Sequence, residues 1–478
     1  MFGGILTVAA GVVFARWLGP DGFGVYSLTL ITLALVGGIG TLGLDNSLAR
    51  FAAFYLGSGE RGRIRNLLRY GIPRVLVFSS ILSLALFVAF WLRLFDHTRL
   101  ASLATHSLAL VIAIPAYALQ LTFFQSVLGL QGVKTRVLLE KVIQPLSRLV
   151  VPFALVLWIA SPISAAVSGL VVSALLLDVV SAILLRNKVT QYPSSGSLKS
   201  SEKKRWLAYA LPFVFYSLQT FVSAGMGLDV FLVGAFLSVH AAGIYSAAFR
   251  LTPVLWLARG AMDYNFGPRA GVLFGQANMK AIGTLYRSTS TFALAWTLPI
   301  ALLLAVFCRP VMRAFFGSAY EVGGPALSLL VLGFVVDSAT GCNVTLLAMV
   351  GRSGLVLLNG TLGGITLLSL CFIMIPRWGI LGAALATVSS ITVTNLLATF
   401  EIWKLYRLQP FSAIALKLLA AGVVVAILMV FWRDLVLPLL QPELVGLTVS
   451  AGVGLLAYFA LVLTITPDFH SFCLNSTE

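Results

Sequence analysis

Several charged side chains lie within stretches of this sequence that are otherwise apolar. In residues 137–160, Lys141, Gln144 and Arg148 are spaced i, i+3 and i+7, so on a helix they form one polar stripe. Arg148 would lie roughly 17 Å along that helix from the start of the stretch. A charged group in such surroundings is costly unless it is paired or binds a ligand, and guanidinium and ammonium groups bind phosphates and carboxylates. The stripe is therefore a candidate anion site.

Arg148 has two interpretations. Either it lines a ligand cavity, or it forms a structural ion pair with Asp178, because a turn near Ser161 would place Asp178 level with Gln144. Lys141 lies shallower, where its long side chain can extend to a polar surface. Lys141 is thus an anion ligand only at the edge of the candidate site.

Two further charges have similarly open roles. Asp337 lies at the middle of an apolar stretch, with no basic residue level with it in the stretches on either side. A carboxylate there either carries a proton for ion coupling or pairs across a helix bundle. Arg16 ends the first apolar stretch, where it acts as an interface anchor or as part of an anion site.

Asp229 and Arg250 are expected to face each other. The stretches 207–236 and 241–262 would be antiparallel about a turn near Val239, and residues at equal depth then have numbers that sum to about 479, as 229 and 250 do. One hypothesis is a salt bridge that fixes the hairpin. The other reserves Arg250 for a ligand and uses Asp229 to orient its guanidinium.

The elements that carry these residues are membrane-spanning helices. Of 478 residues, 59% are hydrophobic and only 10% are charged, with a mean hydropathy of +1.00, whereas soluble domains are about 25% charged. Apolar stretches long enough to cross a bilayer recur throughout, which predicts an all-α polytopic membrane protein of about 14 transmembrane helices. The predicted spans are 1–18, 24–44, 70–92, 106–129, 137–160, 163–185, 207–236, 241–262, 288–308, 325–349, 353–375, 378–402, 411–432 and 444–465.

The net charge of +16 does not point to nucleic acid. Basic residues concentrate between the apolar stretches, with 20 Lys and Arg in one set of alternate loops, Arg259 among them, and seven in the other. The richer set should be cytoplasmic, which places both termini inside. The four cysteines and four histidines lack disulfide or metal-site spacing, and the sequence has no ATPase-type phosphate loop. We therefore expect no cofactor, no metal and no enzymatic activity.

An internal repeat divides the chain. The segment Gly24-Val25-Tyr26-Ser27 recurs as Gly243-Ile244-Tyr245-Ser246, 219 residues later, and Gly132 matches Gly351 at the same offset. Each repeat holds six spans, so the two bundles should be related by a pseudo-twofold axis along the membrane normal. The predicted domains are an N-terminal bundle (1–185), a polar cytoplasmic linker (186–206), a C-terminal bundle (207–402) and helices 13 and 14 (411–465).

The segment from Ala15 to Ser27, ARWLGPDGFGVYS, resembles the first-hairpin signature of polysaccharide flippases in the multidrug/oligosaccharidyl-lipid/polysaccharide exporter superfamily. Three further segments are similar to that family: GIYSAAFRL from Gly243, FFGSAY from Phe315, and IPRWGILGAA from Ile375. The resemblance extends over nearly the whole chain. Asp21 departs from it, because related lipid-precursor flippases often have a basic residue there.

The resemblance implies a flippase of the bacterial inner membrane that moves a polyprenyl-diphosphate-linked glycan from the cytoplasmic to the outer leaflet for surface polysaccharide synthesis. It implies alternating access, a cationic cavity for the diphosphate, and a groove for the lipid tail beside helices 13 and 14. Arg148, Arg250, Arg16 and Lys141 are the candidates for that cavity. Besides membrane lipids, a glycan polymerase or glycosyltransferases are candidate partners. Two alternatives stay open: a cation-coupled multidrug exporter, and a non-transporting scaffold for glycan assembly.

Overall fold

The computed structural model describes residues 2–92, 101–192, 200–223, 227–435 and 443–465. Within these residues the chain forms helices and no strand. Each of the fourteen predicted spans coincides with one or two helices, which confirms the all-α fold class. Nine helices in the described residues are long and apolar enough to cross a membrane, and the bent pair Val239–Leu257 and Arg259–Gly275 adds a tenth.

The chain forms two compact units, the first comprising Met1–Val222 with Met226–Gly243 and the second Ser223–Gly225 with Ile244–Glu478. The helices that begin in the first unit are α1 (Phe2–Gly40), α2 (Leu44–Gly57), α3 (Arg61–Trp91), α4 (Ser107–Gly129), α5 (Val133–Leu138), α6 (Gln144–Leu155), α7 (Pro162–Val189), α8 (Ser200–Ser223), α9 (Leu228–Phe236) and α10 (Val239–Phe249). The second unit continues with α11 (Pro253–Gly275), α12 (Met279–Val306), α13 (Cys308–Phe316), α14 (Gly324–Thr340), α15 (Asn343–Met349), α16 (Ser353–Trp378), α17 (Ile380–Tyr406), α18 (Ala413–Leu435) and α19 (Glu443–Ile465).

Helix α1 contains the first two predicted spans and turns back on itself between them. Gly19 has a φ of 67° and a ψ of 176°, which breaks the helix just before Pro20. The rings of Phe14 and Tyr26 stack with centroids 4.7 Å apart, although twelve residues of straight helix would separate them by about 18 Å. The two halves of α1 therefore form an antiparallel hairpin, as the fourteen-span prediction requires.

The boundary between the units differs from the predicted linker at 186–206, part of which (193–199) lies outside the described residues. Instead, the chain up to Gly243 belongs to the first unit. Trp206 explains the difference at the start of α8, since its indole donates to the Tyr55 hydroxyl at 3.2 Å and its carbonyl accepts from Ser47 at 3.0 Å. Contacts thus define units that differ from the predicted bundles 1–185 and 207–402.

The two copies of the repeated motif contact each other reciprocally within the first unit. A Cβ on Gly24 would lie 2.0 Å from the carbonyl oxygen of Val239, and a Cβ on Gly243 would lie 2.0 Å from that of Pro20. Pro20 and Val239 are themselves 219 residues apart, as are the two glycines. Two equivalent segments that exchange the same contact have the pattern of a local twofold axis.

The sequence underestimates how far helices extend into polar segments. Helix α2 and the first turns of α3 and α12 lie where loops were expected. Hydropathy detects only the apolar part of a helix, whereas exposed basic residues such as Arg61 and Lys280 are compatible with a helix end at a membrane surface.

Candidate functional site

Two groups of polar side chains lie in the helix interiors, one in each unit. The first is built on the run from α5 to α6, which passes through a π-helical turn at Leu139–Ile143. Pro145 explains that turn: it has no N–H to donate to the carbonyl one α-helical turn earlier, so the helix widens before it. Such π turns frequently mark functional sites.

Arg148 lies one turn after this widening and binds neutral partners. With the Gln144 amide oriented so that its oxygen faces the guanidinium, Arg148 Nη2 donates to it at 2.8 Å. With the Gln120 amide turned in the same way, its nitrogen donates to the Gln144 oxygen at 3.0 Å. The Arg148 guanidinium also lies 5.8 Å from the centroid of the Tyr117 ring on α4. We call these four residues, Tyr117, Gln120, Gln144 and Arg148, the N-terminal cluster.

The stripe that contains Lys141 is only partly directed at this cluster. Lys141 pairs with Glu140 at 2.7 Å, and its side chain is 58% exposed. Glu140 also accepts from Arg136 Nε at 2.9 Å. Lys141 therefore lies at the periphery of the cluster, with its charge compensated, whereas half-buried Arg148 makes no ion pair among the described residues.

Asp178 does not pair with Arg148. Its side chain is only 7% exposed, and neither carboxylate oxygen has a hydrogen-bond partner within the described residues. The reason is the register of α6 and α7, which the bond from Ser173 Oγ to the Ser147 carbonyl at 3.0 Å fixes. Asp178 is then level with residue 142, so it lies about 9 Å along the helix from the level of Arg148. The predicted Arg148–Asp178 pair is wrong for this structure.

Arg16 lies near the other end of α6. It is exposed on α1, three residues before the turn at Gly19. The neighbouring Trp17 ring stacks on Phe153, with centroids 4.6 Å apart. Arg16 is thus near the level of Phe153, about five residues, or roughly 7.5 Å, beyond Arg148 along α6.

The second group centres on Arg259 of α11 and Asp337 of α14. Arg259 Nη1 forms a buried salt bridge with Asp337 Oδ1. Asp263, one turn after Arg259, lies 3.8 Å from its Nε, and Asn395 of α17 donates to Asp337 at 3.0 Å. We call Arg259, Asp263, Asp337 and Asn395 the C-terminal network.

A break in the tenth predicted span extends this network. Helix α14 ends at Thr340 and α15 begins at Asn343, because Gly341 adopts a φ of 64°. The bond from Tyr286 to the Thr340 carbonyl, at 2.9 Å, satisfies a backbone group freed by the break. Asn343 Nδ2 donates to the Asn395 carbonyl at 3.0 Å, so the broken backbone is hydrogen bonded rather than exposed to lipid.

The expectation that Asp337 lacks a basic neighbour is half right. No basic residue of the adjacent spans is level with it, but it pairs across the unit with Arg259, which lies near the end of the predicted span 241–262 and is counted with the cytoplasmic loop cations. That assignment is wrong, because α11 continues to Gly275 and Arg259 is only 8% exposed. The i, i+4 spacing of Arg259 and Asp263 was the available sequence signal for a helix here.

Residues 2–256, more than half of the chain, match the family model described as polysaccharide biosynthesis protein. The chain belongs to this family. The predicted resemblance to polysaccharide flippases is thereby confirmed at the level of family.

Curated relatives agree with this membership, and a solved structure shares the fold. The chain is 23% identical over 384 residues to a putative O-antigen transporter of Shigella flexneri, with 78% of this chain and 87% of that one covered. It is 24% identical over 245 residues to a probable low-salt glycan biosynthesis flippase, Agl15, of Haloferax volcanii; the match covers 50% of this chain and about half, 51%, of that relative. A structure of lipid II flippase MurJ in an inward closed conformation has the same fold, with a TM-score of 0.73, 14% identity and 98% of each chain covered.

Asp229 and Arg250 of this polysaccharide biosynthesis protein belong to different units. Asp229 is completely buried at the start of α9, where its Oδ1 accepts from the Val230 N–H at 2.9 Å. Arg250 is half-buried and directly follows α10. Their predicted pairing stays a prediction.

Proposed function

We propose that this protein is a flippase that moves a polyprenyl-diphosphate-linked oligosaccharide from the cytoplasmic to the outer leaflet by alternating access. The observation that carries the proposal is Arg148: a half-buried guanidinium deep in a helix, bonded to a neutral amide and an aromatic ring, with no carboxylate partner among the described residues. An intramembrane cation of this kind is costly and is a ligand candidate. The flippases and transporters of glycans among its relatives support the same substrate class.

The diphosphate and Arg148 are chemically matched. A planar guanidinium forms two parallel hydrogen bonds to phosphate oxygens, and Gln144, Gln120 and Tyr117 supply neutral groups that can rearrange when an anion binds. Outward movement of the anion is favoured by an inside-negative potential, by about 2.3 kcal/mol per charge per 100 mV. Arg250 and Arg16 are the further cations proposed for the cavity, with Lys141 at its edge.

The decisive experiment follows a fluorescent short-chain polyprenyl-diphosphate N-acetylglucosamine across proteoliposome membranes. We expect Arg148→Ala to abolish protein-dependent flipping and Arg148→Lys to keep part of it, because the charge remains but the bidentate geometry is lost. Arg136→Ala is the matched control, since Arg136 carries the same charge on the same helical run but is paired with Glu140. Wild-type flipping by Arg148→Ala would remove Arg148 from the site and with it the main support for this function.

Ion coupling is the second part of the proposal, and we assign it to Asp178 rather than Asp337. Asp337 is neutralised by Arg259, whereas Asp178 has two buried carboxylate oxygens without partners and can take up a proton without breaking an ion pair. An imposed pH gradient should change the flipping rate of wild-type protein and of Asp178→Glu but not that of Asp178→Asn. An unchanged gradient response in Asp178→Asn would assign the coupling elsewhere.

The direction of transport depends on the proposed topology, with both termini in the cytoplasm. The topology can be tested by labelling single cysteines in loops on opposite sides of the membrane. Ser195 in the predicted cytoplasmic linker and Gln441 in the last predicted outer loop are natural positions, but both lie outside the described residues. Ser58, between α2 and α3, and Ser161, before α7, are exposed substitutes. In right-side-out vesicles, a membrane-impermeant thiol reagent should label Ser161→Cys and spare Ser58→Cys; the reverse pattern would invert the topology.

The multidrug alternative predicts export of a cationic drug such as ethidium. Export of ethidium by the wild-type protein that Arg148→Ala and Arg148→Lys block would favour that alternative.

A further inference from the structure

A cavity in the second unit has no residue of the C-terminal network in its lining. It has a volume of about 550 Å³ and is formed by α11, by α12 and by the short turn that joins them. Arg269 of α11 and Lys280 of α12 both line it, and no acidic residue does. Among the described residues, neither of these cations is in a salt bridge, whereas Arg63, Arg136 and Lys141 are paired with glutamates. The cavity therefore has two uncompensated positive charges.

The lining changes character along α12. Lys280, Thr284 and Ser288 follow one another at i, i+4 and i+8, so the basic end of the cavity continues into hydroxyl groups. Phe292 lines the far end, twelve residues or about 18 Å from Lys280. A charged end, a polar middle and an aromatic end describe a site for an amphiphile rather than for a soluble anion.

Aromatic rings continue this path beyond the cavity. The Phe292 and Trp296 rings have centroids 6.2 Å apart, and Trp296 contacts Phe459 of α19 edge-on at 5.9 Å. Trp296 is 48% exposed, although it lies within an apolar helix. A hydrocarbon chain whose head occupies the basic end would therefore have an apolar surface to follow.

We propose that this cavity binds the phosphate head of an anionic lipid, with Arg269 and Lys280 as its ligands and Phe292 and Trp296 beside its chain. The cytoplasmic leaflet attracts basic residues through its anionic lipids, and the turn between α11 and α12, flanked by Arg269 and Lys280, lies on the side predicted to be cytoplasmic. The shared ligand chemistry is a phosphate group on a long hydrocarbon. Its source is either a phospholipid or, if the proposed flippase function holds, the polyprenyl phosphate end of the substrate.

Lipid binding to purified protein, measured by native mass spectrometry, tests this directly. Phosphatidylglycerol, a polyprenyl phosphate and zwitterionic phosphatidylcholine are added in separate arms. The double variant Arg269→Gln/Lys280→Gln should lose roughly 30-fold in affinity for at least one phosphate-headed anionic lipid, as expected for two basic residues near an anionic surface, and bind phosphatidylcholine as before. The matched control is Arg287→Gln/Arg352→Gln, which removes two exposed charges of the same unit outside the cavity.

A loss confined to phosphatidylglycerol identifies a phospholipid site, and a loss confined to polyprenyl phosphate identifies a substrate site. Equal losses in the control, or no loss in the double variant, would overturn the proposal. Location is checked with a photoreactive Thr284→p-benzoylphenylalanine, which should crosslink the anionic lipid, against Thr361→p-benzoylphenylalanine on α16. Crosslinking at position 361 alone would also contradict it. Crosslinking from position 284 reports on this cavity alone, whereas flipping by Arg148→Ala reports on the N-terminal cluster, so failure of the flippase proposal and failure of this one are distinguishable.

Discussion

The N-terminal cluster and the C-terminal network each place an arginine inside a unit, but they compensate its charge in opposite ways. Arg259 meets two carboxylates, and the amide of Asn395 completes the bonding of one of them. Arg148 meets an amide and an aromatic ring, while a buried carboxylate of the same unit, Asp178, has no hydrogen-bond partner among the described residues. The network pairs its arginine internally and fits a structural role, whereas the cluster leaves a cation available to a ligand.

The internal repeat shows that the two units differ in their charged residues at positions with similar backbone packing. At the offset of 219, the counterparts of Arg259 and Asp337 are Gly40 and Ala118. A Cβ on Gly40 would lie 3.6 Å from the Ala118 Cβ, so this pair of positions is also in contact in the first unit. A close packing contact of small residues in one unit corresponds to a buried ion pair in the other. Equivalent backbones thus need not have equivalent functional residues.

The largest expected effect is on the C-terminal network. Asp337→Asn removes the closer of the two carboxylates that compensate buried Arg259 and leaves it only the more distant Asp263; breaking a buried ion pair costs about 3–5 kcal/mol. We expect a large loss of folded protein and of thermal stability in detergent, measured by fluorescence-detected size exclusion. Replacing both partners, as Arg259→Met/Asp337→Leu, should recover most of the loss. Wild-type stability of Asp337→Asn would show that the pair is not structural.

The sequence predicts the helices well because a span must be long and apolar, and it predicts the repeat because Gly24 and Gly243 are required at a close backbone contact. It does not predict the partners of the charges. The pairing of Arg148 depends on the register of α6 and α7, which a Ser173–Ser147 hydrogen bond fixes within a residue or two. Inter-helix register of that precision is not encoded in hydropathy.

The sequence misses the long-range pair Arg259–Asp337 for a related reason. Its residues are 78 positions apart, and the helix that carries Arg259 continues through polar residues to Gly275. The predicted span ends at residue 262, and Arg259, close to that end, is counted with the loop cations although it lies inside a helix. The unpartnered state of Asp178 is likewise a property of packing, since its sequence surroundings are those of any charged residue in an apolar helix.

The reciprocal glycine contact should be the next most sensitive feature. Gly24→Ala and Gly243→Ala each drive a Cβ into a backbone carbonyl, and overpacking of this kind costs typically about 1–3 kcal/mol. Because the two contacts are equivalent, the losses in thermal stability should be similar. Gly38→Ala, on the same α1 helix but with open space around its Cβ position, is the control and should be neutral. Unequal losses at Gly24 and Gly243 would argue against the local twofold.

A smaller effect on stability is expected at the N-terminal cluster. Arg148→Ala loses one charge-assisted hydrogen bond and one ring contact, together about 2–4 kcal/mol, but it also removes the cost of holding an unpaired cation in the helix interior, which offsets most of that loss, and it leaves no carboxylate without its partner. The variant should therefore be produced and thermally stable near wild-type level while flipping is lost. If Arg148→Ala instead unfolds as readily as Asp337→Asn, the contrast between cluster and network is wrong and Arg148 has a structural role.

The smallest expected effect on stability is that of Asp178→Asn. Its comparison with Asp337→Asn is the sharpest test of the difference between the two units. Asp178→Asn makes the same chemical change as Asp337→Asn, at a similarly buried position on a helix of the other unit. Asp178, however, has no cation to leave behind and no hydrogen bond to lose. If its carboxylate is ionised, the amide removes the cost of burying that charge, and if it is protonated, the amide is a near-isosteric neutral replacement. Either state predicts a change in unfolding free energy within about 1 kcal/mol, neutral or stabilising, as for substitutions that break no partnered interaction. Thermal unfolding of both variants, side by side in the same detergent, measures the difference; a loss at Asp178→Asn as large as that at Asp337→Asn would mean that Asp178 has a partner in the folded protein.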